Sequence, residues 1–239
     1  MPEGVSERLP RLRPKARDRE RELTDQEKEI KGVWESIQFV DRLAKNKKVS
    51  ISEQSIKQIQ ARVMGYYNHD IAGKYREGDL EISDSSIQPV HHTLVRGEML
   101  IFGRKLEERT KNLDKSVDSM EKVIDAAAWA HYQLVSIHPF EDGNGRTSRQ
   151  LVDLILKRGG MYYITDWGNR DNYINALEMV GRTRDTVHLK RFLAARLGAR
   201  YDRVFSDLIK SRSGQAEKNS PVLADLLNRK QWLGRIATS

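Results

Sequence analysis

From Thr24 onward, apolar residues recur at helical spacing. Ile30, Val33, Trp34, Ile37 and Val40 fall on one face of a first helix. Thr24, with Glu27 three residues later, has the pattern of a capping box at its start. A second helix is predicted over about 52–66, carrying Ile56, Ile59, Val63 and Met64 and closing on Gly65. The period is lost over 72–91. There Gly73, Gly78 and Asp84-Ser85-Ser86 punctuate short stretches such as Leu80-Glu81-Ile82, which predicts a β-hairpin or an extended flap. It returns over about 93–110 and 118–137, where Met120, Val123, Ile124, Ala127, Ala128 and Leu134 form a stripe. A helix over about 145–158 ends at Gly159-Gly160, as helices with glycine caps do. Two or three more helices follow to about 210. Residues 211–220 are polar, and an amphipathic segment with Val222, Leu223, Leu226 and Leu227 follows Pro221. The fold predicted is mainly α, with a small β-hairpin flap.

Length and composition change this picture little. A chain of 239 residues holds one fairly large domain with an appendage or two small ones, and 38% hydrophobic content lies above the disordered range. The formal charge of +8 favours acidic partners. Much of it sits in Arg11, Arg13, Lys15, Arg17, Arg19 and Arg21, interrupted by Pro10 and Pro14, so residues 1–23 read as a flexible basic arm. That arm, with Arg182, Arg184, Lys190, Arg191, Arg196, Arg200 and Arg203, keeps a nucleic-acid-binding regulator open as an alternative function. There is no cysteine, which excludes disulfides, thiolate catalysis and cysteine-ligated metals. No run of about 18 apolar residues and no signal-peptide core is present, so no membrane association is expected and the expectation is a cytoplasmic protein.

The chemistry concentrates in residues 138–149, His-Pro-Phe-Glu-Asp-Gly-Asn-Gly-Arg-Thr-Ser-Arg. Gly143 and Gly145 flank Asn144 and let a ligand approach the backbone amides. A helix then begins whose first turns carry Arg146 and Arg149 on one face. Arginines there oppose the helix dipole at a cost of about 0.3–1 kcal/mol each, which makes sense if an anion sits on the amides and both guanidiniums. Asp142 adds a hard oxygen ligand suited to magnesium beside phosphate. His138, ending the preceding helix, can be neutral at cytosolic pH and take a proton from a hydroxyl. Pro139 stops that helix and Phe140 can anchor the loop. Base, metal ligand, anion cradle and charge clamp are the parts of phosphoryl-type transfer. The Gly-Lys-Ser/Thr ending of a Walker loop is missing.

This segment resembles the signature of the Fic family, His-Pro-Phe-x-Asp/Glu-Gly-Asn-Gly-Arg-x-x-Arg, and matches it throughout. Gly73-Lys74-Tyr75-Arg76 and Leu80 to Pro89 resemble the family's lead-in and flap, and Tyr173 with Ala176-Leu177 its downstream helix. The resemblance covers about 50–200 and implies a Fic-type helical bundle over 24–210, followed by a C-terminal extension, 211–239. It implies a protein adenylyltransferase that moves AMP from ATP to a Ser, Thr or Tyr hydroxyl of a target protein. His138 would be the base and Asp142 the Mg2+ ligand. Gly143, Asn144 and Gly145 would hold the α- and β-phosphates, Arg146 the β-phosphate side and Arg149 the γ-phosphate. Ile82, Ser83, Asp84 and Ser85 would dock the target by strand addition, and Tyr173 would wall the adenine pocket. The family's phosphotransferase branch has Lys where this chain has Gly145, so the intact signature implies nucleotidyl transfer. UTP or GTP as donor stays open, as does removal of AMP by the same site.

Many members of the family restrain the second motif arginine with a Glu from a Ser/Thr-x-x-x-Glu-Gly/Asn helix. The N-terminal region holds no such match, whereas Ser213 and Glu217 have the spacing, with Lys218 in place of Gly or Asn. The expectation is that Glu217 pairs with Arg149; otherwise a small antitoxin supplies the acid in trans. A homodimer stays open as a further partner. Of the remaining histidines, adjacent His91 and His92 are expected to point apart, His131 to lie in the core, and no metal site is expected.

Overall fold

The computed structural model of this chain describes residues 22–83, 85–211 and 221–238. Most of the basic arm (residues 1–21), Asp84, Ser213 and Glu217 lie outside the described residues. Eight α-helices are present among those described: α1 (Asp25–Lys45), α2 (Glu53–Met64), α3 (Val95–Thr110), α4 (Met120–Ile137), α5 (Asn144–Arg158), α6 (Arg170–Thr183), α7 (Val187–Ser211) and α8 (Pro221–Thr238).

The helix ends follow local chemistry. Thr24 and Glu27 form the capping box, the Glu27 backbone N–H donating to Thr24 Oγ1 at 3.3 Å and the Thr24 N–H to Glu27 Oε2 at 2.8 Å. Gly65 closes α2 and Gly159 closes α5. Helix α4 is central because most of its length beyond the first turn is apolar: three successive alanines, Ala126, Ala127 and Ala128, are buried with Val123, Ile124, Leu134 and Val135. It packs against α5, α3 and α7, while α1 and α2 cover the outer side of α5 and α8 lies along α7. Leu226 and Leu233 of α8 are buried, and Arg229 donates to the Lys115 carbonyl at 2.6 Å, which ties this C-terminal helix to the body.

Two expectations are corrected. The stripe expected for α1 is only partly its buried face: Val40 is buried and Val33 and Ile37 partly so, but Ile30 is 62% and Trp34 59% exposed, and the helix also buries Gly32, Ser36, Leu43 and Ala44. Gly32 decides this. A Cβ there would lie 2.5 Å from the Val63 carbonyl oxygen, so α1 meets α2 backbone to backbone on a side that hydrophobicity does not mark. The flap is also not a hairpin. Among the described residues there are no strands, and the single isolated bridge pairs Tyr75 with Phe140. Residues 85–88 alternate between partly buried and exposed, but the segment is anchored by side chains rather than a ladder: the Ser86 N–H donates to Glu178 at 2.8 Å, and Arg170 to the Ser83 carbonyl at 3.4 Å.

Candidate active site

The six-residue turn between α4 and α5 places His138 and Asp142 beside the start of α5. His138 caps α4 in a left-handed conformation, φ 49° and ψ 59°, which swings the chain off the helix axis. Its backbone N–H still bonds the Leu134 carbonyl at 3.0 Å. In the ring, Nδ1 faces the Val135 carbonyl at 3.3 Å; a carbonyl only accepts, so Nδ1 carries the proton and Nε2 keeps its lone pair. Burial lowers the His138 pKa below the ordinary histidine value, and nearby Arg76 lowers it further, against the Val135 hydrogen bond and the Asp142 charge.

Buried polar groups hold the turn. Asn144 reaches back to Phe140, accepting from its N–H at 3.0 Å and donating to its carbonyl at 2.7 Å. The Asn144 side chain is therefore a brace, and its expected part in an anion cradle rests on backbone amides. Gln60, fully buried on α2, donates to the Asp142 carbonyl at 3.1 Å and accepts from the Gly73 N–H. Arg76 donates through Nε to the His138 carbonyl at 2.7 Å, through Nη1 to Gly78 at 2.7 Å and through Nη2 to Val90. Neither role was assigned from the sequence, although Gln60 was visible as a polar residue inside the apolar run Ile56, Ile59, Val63.

The charged residues cluster at the N-terminus of α5. Asp142 is half-exposed, with Oδ1 accepting from the Gly143 N–H and Oδ2 3.1 Å from Arg146 Nη2. Gly143 adopts φ 80° and packs against Met64. Arg146 Nη1 also lies 3.3 Å from Glu29 of α1, an ion pair by distance without hydrogen-bond alignment. Arg149 is partly buried; burial lowers its pKa, partly offset by the neighbouring Tyr173. A Cβ on Gly145 would stand 3.3 Å from Arg149 Nη1, so glycine leaves that guanidinium its room. Both arginines line a cavity of about 380 Å³ that is also walled by Val33 and Ile37 of α1, Asp153 and Trp167.

Behind the arginines lies an aromatic group. His131 is fully buried, stacks on Trp167 at 5.3 Å and shares a 2.8 Å hydrogen bond with Tyr173. Burial pulls the His131 pKa down to about 3 and pushes that of Tyr173 up to about 12. Asp153, buried beneath the cavity, is raised to about 7 by burial, partly offset by the Ile164 N–H it accepts at 3.0 Å. The expected site residues His138, Asp142, Gly143, Asn144, Gly145, Arg146, Arg149 and Tyr173 thus lie on the 138–143 turn, along α5 or against it. Ile82, Ser83 and Ser85 belong to the neighbouring extended segment, joined to the turn through Arg76. His91 and His92 depart from expectation: their rings do not diverge, and lie 4.3 Å apart with both turned to Asp79.

Residues 50–156 match the model of the Fic/DOC family. A protein of Nematostella vectensis named protein adenylyltransferase Fic is 36% identical over 132 residues, 55% of this chain and 29% of that protein. One of the same name from Aedes aegypti is 30% identical over 171 residues, 71% of this chain and 32% of that protein. The chain therefore spans about a third of the length of the curated relatives it matches. Fic-1 (aa134 - 508) from C. elegans superposes with a TM-score of 0.64 at 24% identity, covering 84% of this chain and 56% of that one. A Fic domain containing signaling protein from Bacteroides thetaiotaomicron gives 0.59 at 18% identity, covering 90% and 70%. At these identities the two structures speak for the fold alone.

Proposed function

We propose that this chain, which belongs to the Fic/DOC family, transfers AMP from ATP to a Ser, Thr or Tyr hydroxyl of a protein target. The observation that carries the reading is the His138 ring: its Nδ1 is occupied by a backbone carbonyl, its Nε2 lone pair is free, and it sits one turn from a helix N-terminus bearing two arginines. The relatives named protein adenylyltransferase point the same way.

In this reading the target hydroxyl oxygen bonds the α-phosphorus of ATP while the bond to the β-phosphate oxygen breaks. The hydroxyl proton goes to His138 Nε2, and pyrophosphate leaves. The backbone N–H groups of Gly143, Asn144 and Gly145 receive the phosphates, aided by the positive end of α5. Arg146 balances the leaving charge and Arg149 the γ-phosphate, and Tyr173 walls the adenine pocket. The segment of Ile82, Ser83, Asp84 and Ser85 docks the target by strand addition. Magnesium fits Asp142, a half-exposed carboxylate beside a phosphate cradle, and would neutralise phosphate charge when bound. Because burial lowers the His138 pKa, activity is expected to stay level through neutral pH and to fall only below the ordinary histidine range.

Glu29 supports a restrained resting state. It stands against the guanidinium assigned to the leaving phosphate, so nucleotide must displace it. The expected Glu217–Arg149 pair remains a separate proposal, Glu217 lying outside the described residues.

The deciding experiment uses ATP labelled at the α- or γ-phosphate with magnesium and a cell lysate. Label should pass to protein from the α position, and His138→Ala should lower transfer by about 10²–10⁴-fold. Label arriving from the γ position would make the chain a kinase and sink the proposal.

A further inference from the structure

At the neck of the extended segment, three metal-ligating side chains converge. His91 Nε2 lies 3.1 Å from Asp79 Oδ2, and His92 Nδ1 lies 3.1 Å from Asp79 Oδ1. One donor atom from each of the three residues falls within 4.8 Å of the other two. A tetrahedral zinc ion with bonds of about 2.0–2.1 Å needs donors about 3.3 Å apart, so small side-chain rotations would suffice.

The hydrogen bonding around the rings favours a cation between them. His91 Nδ1 is 2.9 Å from Thr93 Oγ1. When the imidazole donates to that hydroxyl, Nε2 presents a lone pair to a carboxylate, an arrangement that a shared cation relieves and that otherwise needs an extra proton. The His92 backbone N–H donates to Asp79 Oδ1 at 2.8 Å, which holds the carboxylate in place beside both rings. The side chains of Asp79 and His91 are each 55% exposed, which leaves the remaining coordination positions to water. One opposing charge is present: Arg76 Nη1 stands 3.5 Å from Asp79, and it weakens cation binding without blocking the outer face.

We propose that Asp79, His91 and His92 bind one borderline divalent cation of the zinc type, which clasps the two ends of the segment 79–92. Imidazole nitrogen with one carboxylate suits zinc and its first-row neighbours, whereas magnesium and calcium prefer all-oxygen sites. The site is separate from Asp142 and independent of the proposed reaction. Its consequence is mechanical. The residues between the clasp points include Ile82, Ser83 and Ser85, and closing the loop through a metal removes conformational freedom from them. Arg76 links the same neck to the His138 carbonyl, so a stiffened neck adjoins the catalytic turn.

The test is calorimetric titration of the full chain with zinc chloride, in magnesium buffer without nucleotide, paired with amide exchange. One zinc per chain is expected. His91→Ala and His92→Ala should each weaken it by at least about tenfold, and zinc should slow exchange over residues 80–90. Asp79→Asn should do the same. Should that change loosen the loop itself, the two histidine variants decide, because they leave the carboxylate and its backbone hydrogen bond in place. Absence of saturable uptake, uptake unchanged in the histidine variants, or binding that leaves exchange over 80–90 as it was would each overturn the proposal.

Discussion

The turn 138–143 and the segment 79–91 are neighbours held in opposite ways. The turn is braced from three sides by polar groups that are themselves buried: Asn144 from α5, Gln60 from α2 and Arg76 from the lead-in to the segment. The segment instead depends on exposed contacts such as Ser86 with Glu178 and Asp79 with its two histidines. A buried hydrogen bond is costly to break because the abandoned group stays dry, whereas an exposed one is exchanged for water at little loss. The chemistry proposed for the turn needs sub-ångström positions, and the docking proposed for the segment needs adaptability. The fold divides rigidity accordingly.

Arg76 joins the two regions, so removing it should have the largest effect. Arg76→Ala strands the His138 carbonyl and releases those of Gly78 and Val90, and should cost about 3 kcal/mol in urea unfolding. A loss below about 1 kcal/mol would erase the contrast drawn above. Asn144→Ala affects the turn alone. With the Phe140 N–H and carbonyl both unpaired, it should cost about 2–3 kcal/mol and leave amide exchange in 80–90 as it was.

The buried groups behind the turn also have a pH signature. His131 binds its proton near about 3 in the fold and near 6.5 unfolded, so its contribution is present above the unfolded value and lost as pH falls. Asp153, raised to about 7 from 3.8, does the reverse: its contribution is present at low pH and lost as pH rises. Between about pH 4.5 and 6 the two nearly cancel. Asp153→Asn should unmask His131, giving stability that climbs by roughly 2 kcal/mol over that range. A flat profile in the variant would show that His131 is not shielded as its burial implies. The smallest effect belongs to the segment. Glu178→Ala should quicken amide exchange near Ser86 and leave the global unfolding midpoint unmoved. A large global loss would mean that the segment is as firmly built as the turn.

The readability of these regions differed for the same reason. The motif was legible because its chemistry is contiguous: glycines, acid, base and arginines fall within twelve residues, and helix caps such as Thr24 with Glu27 are local pairs. The segment misled because Gly and Ser punctuation marks a departure from helix without saying whether a partner strand exists. In α1 the apolar spacing points to Ile30 and Trp34 as well as Val40, yet the close approach permitted by Gly32 turns the Gly32–Ser36–Val40 side inward and leaves the first two exposed.

By itself, then, the sequence determined the helical framework, most of the helix ends and the residues of the proposed reaction, since each depends on hydrogen bonds and periodicity within a few positions. Tertiary structure alone decided that Gln60 and Arg76 brace the turn, that Glu29 faces Arg146 and that His91, His92 and Asp79 meet. Those pairings join residues far apart in the chain or depend on the path of an unladdered segment, and they arise only when packing of the helices brings the backbones together.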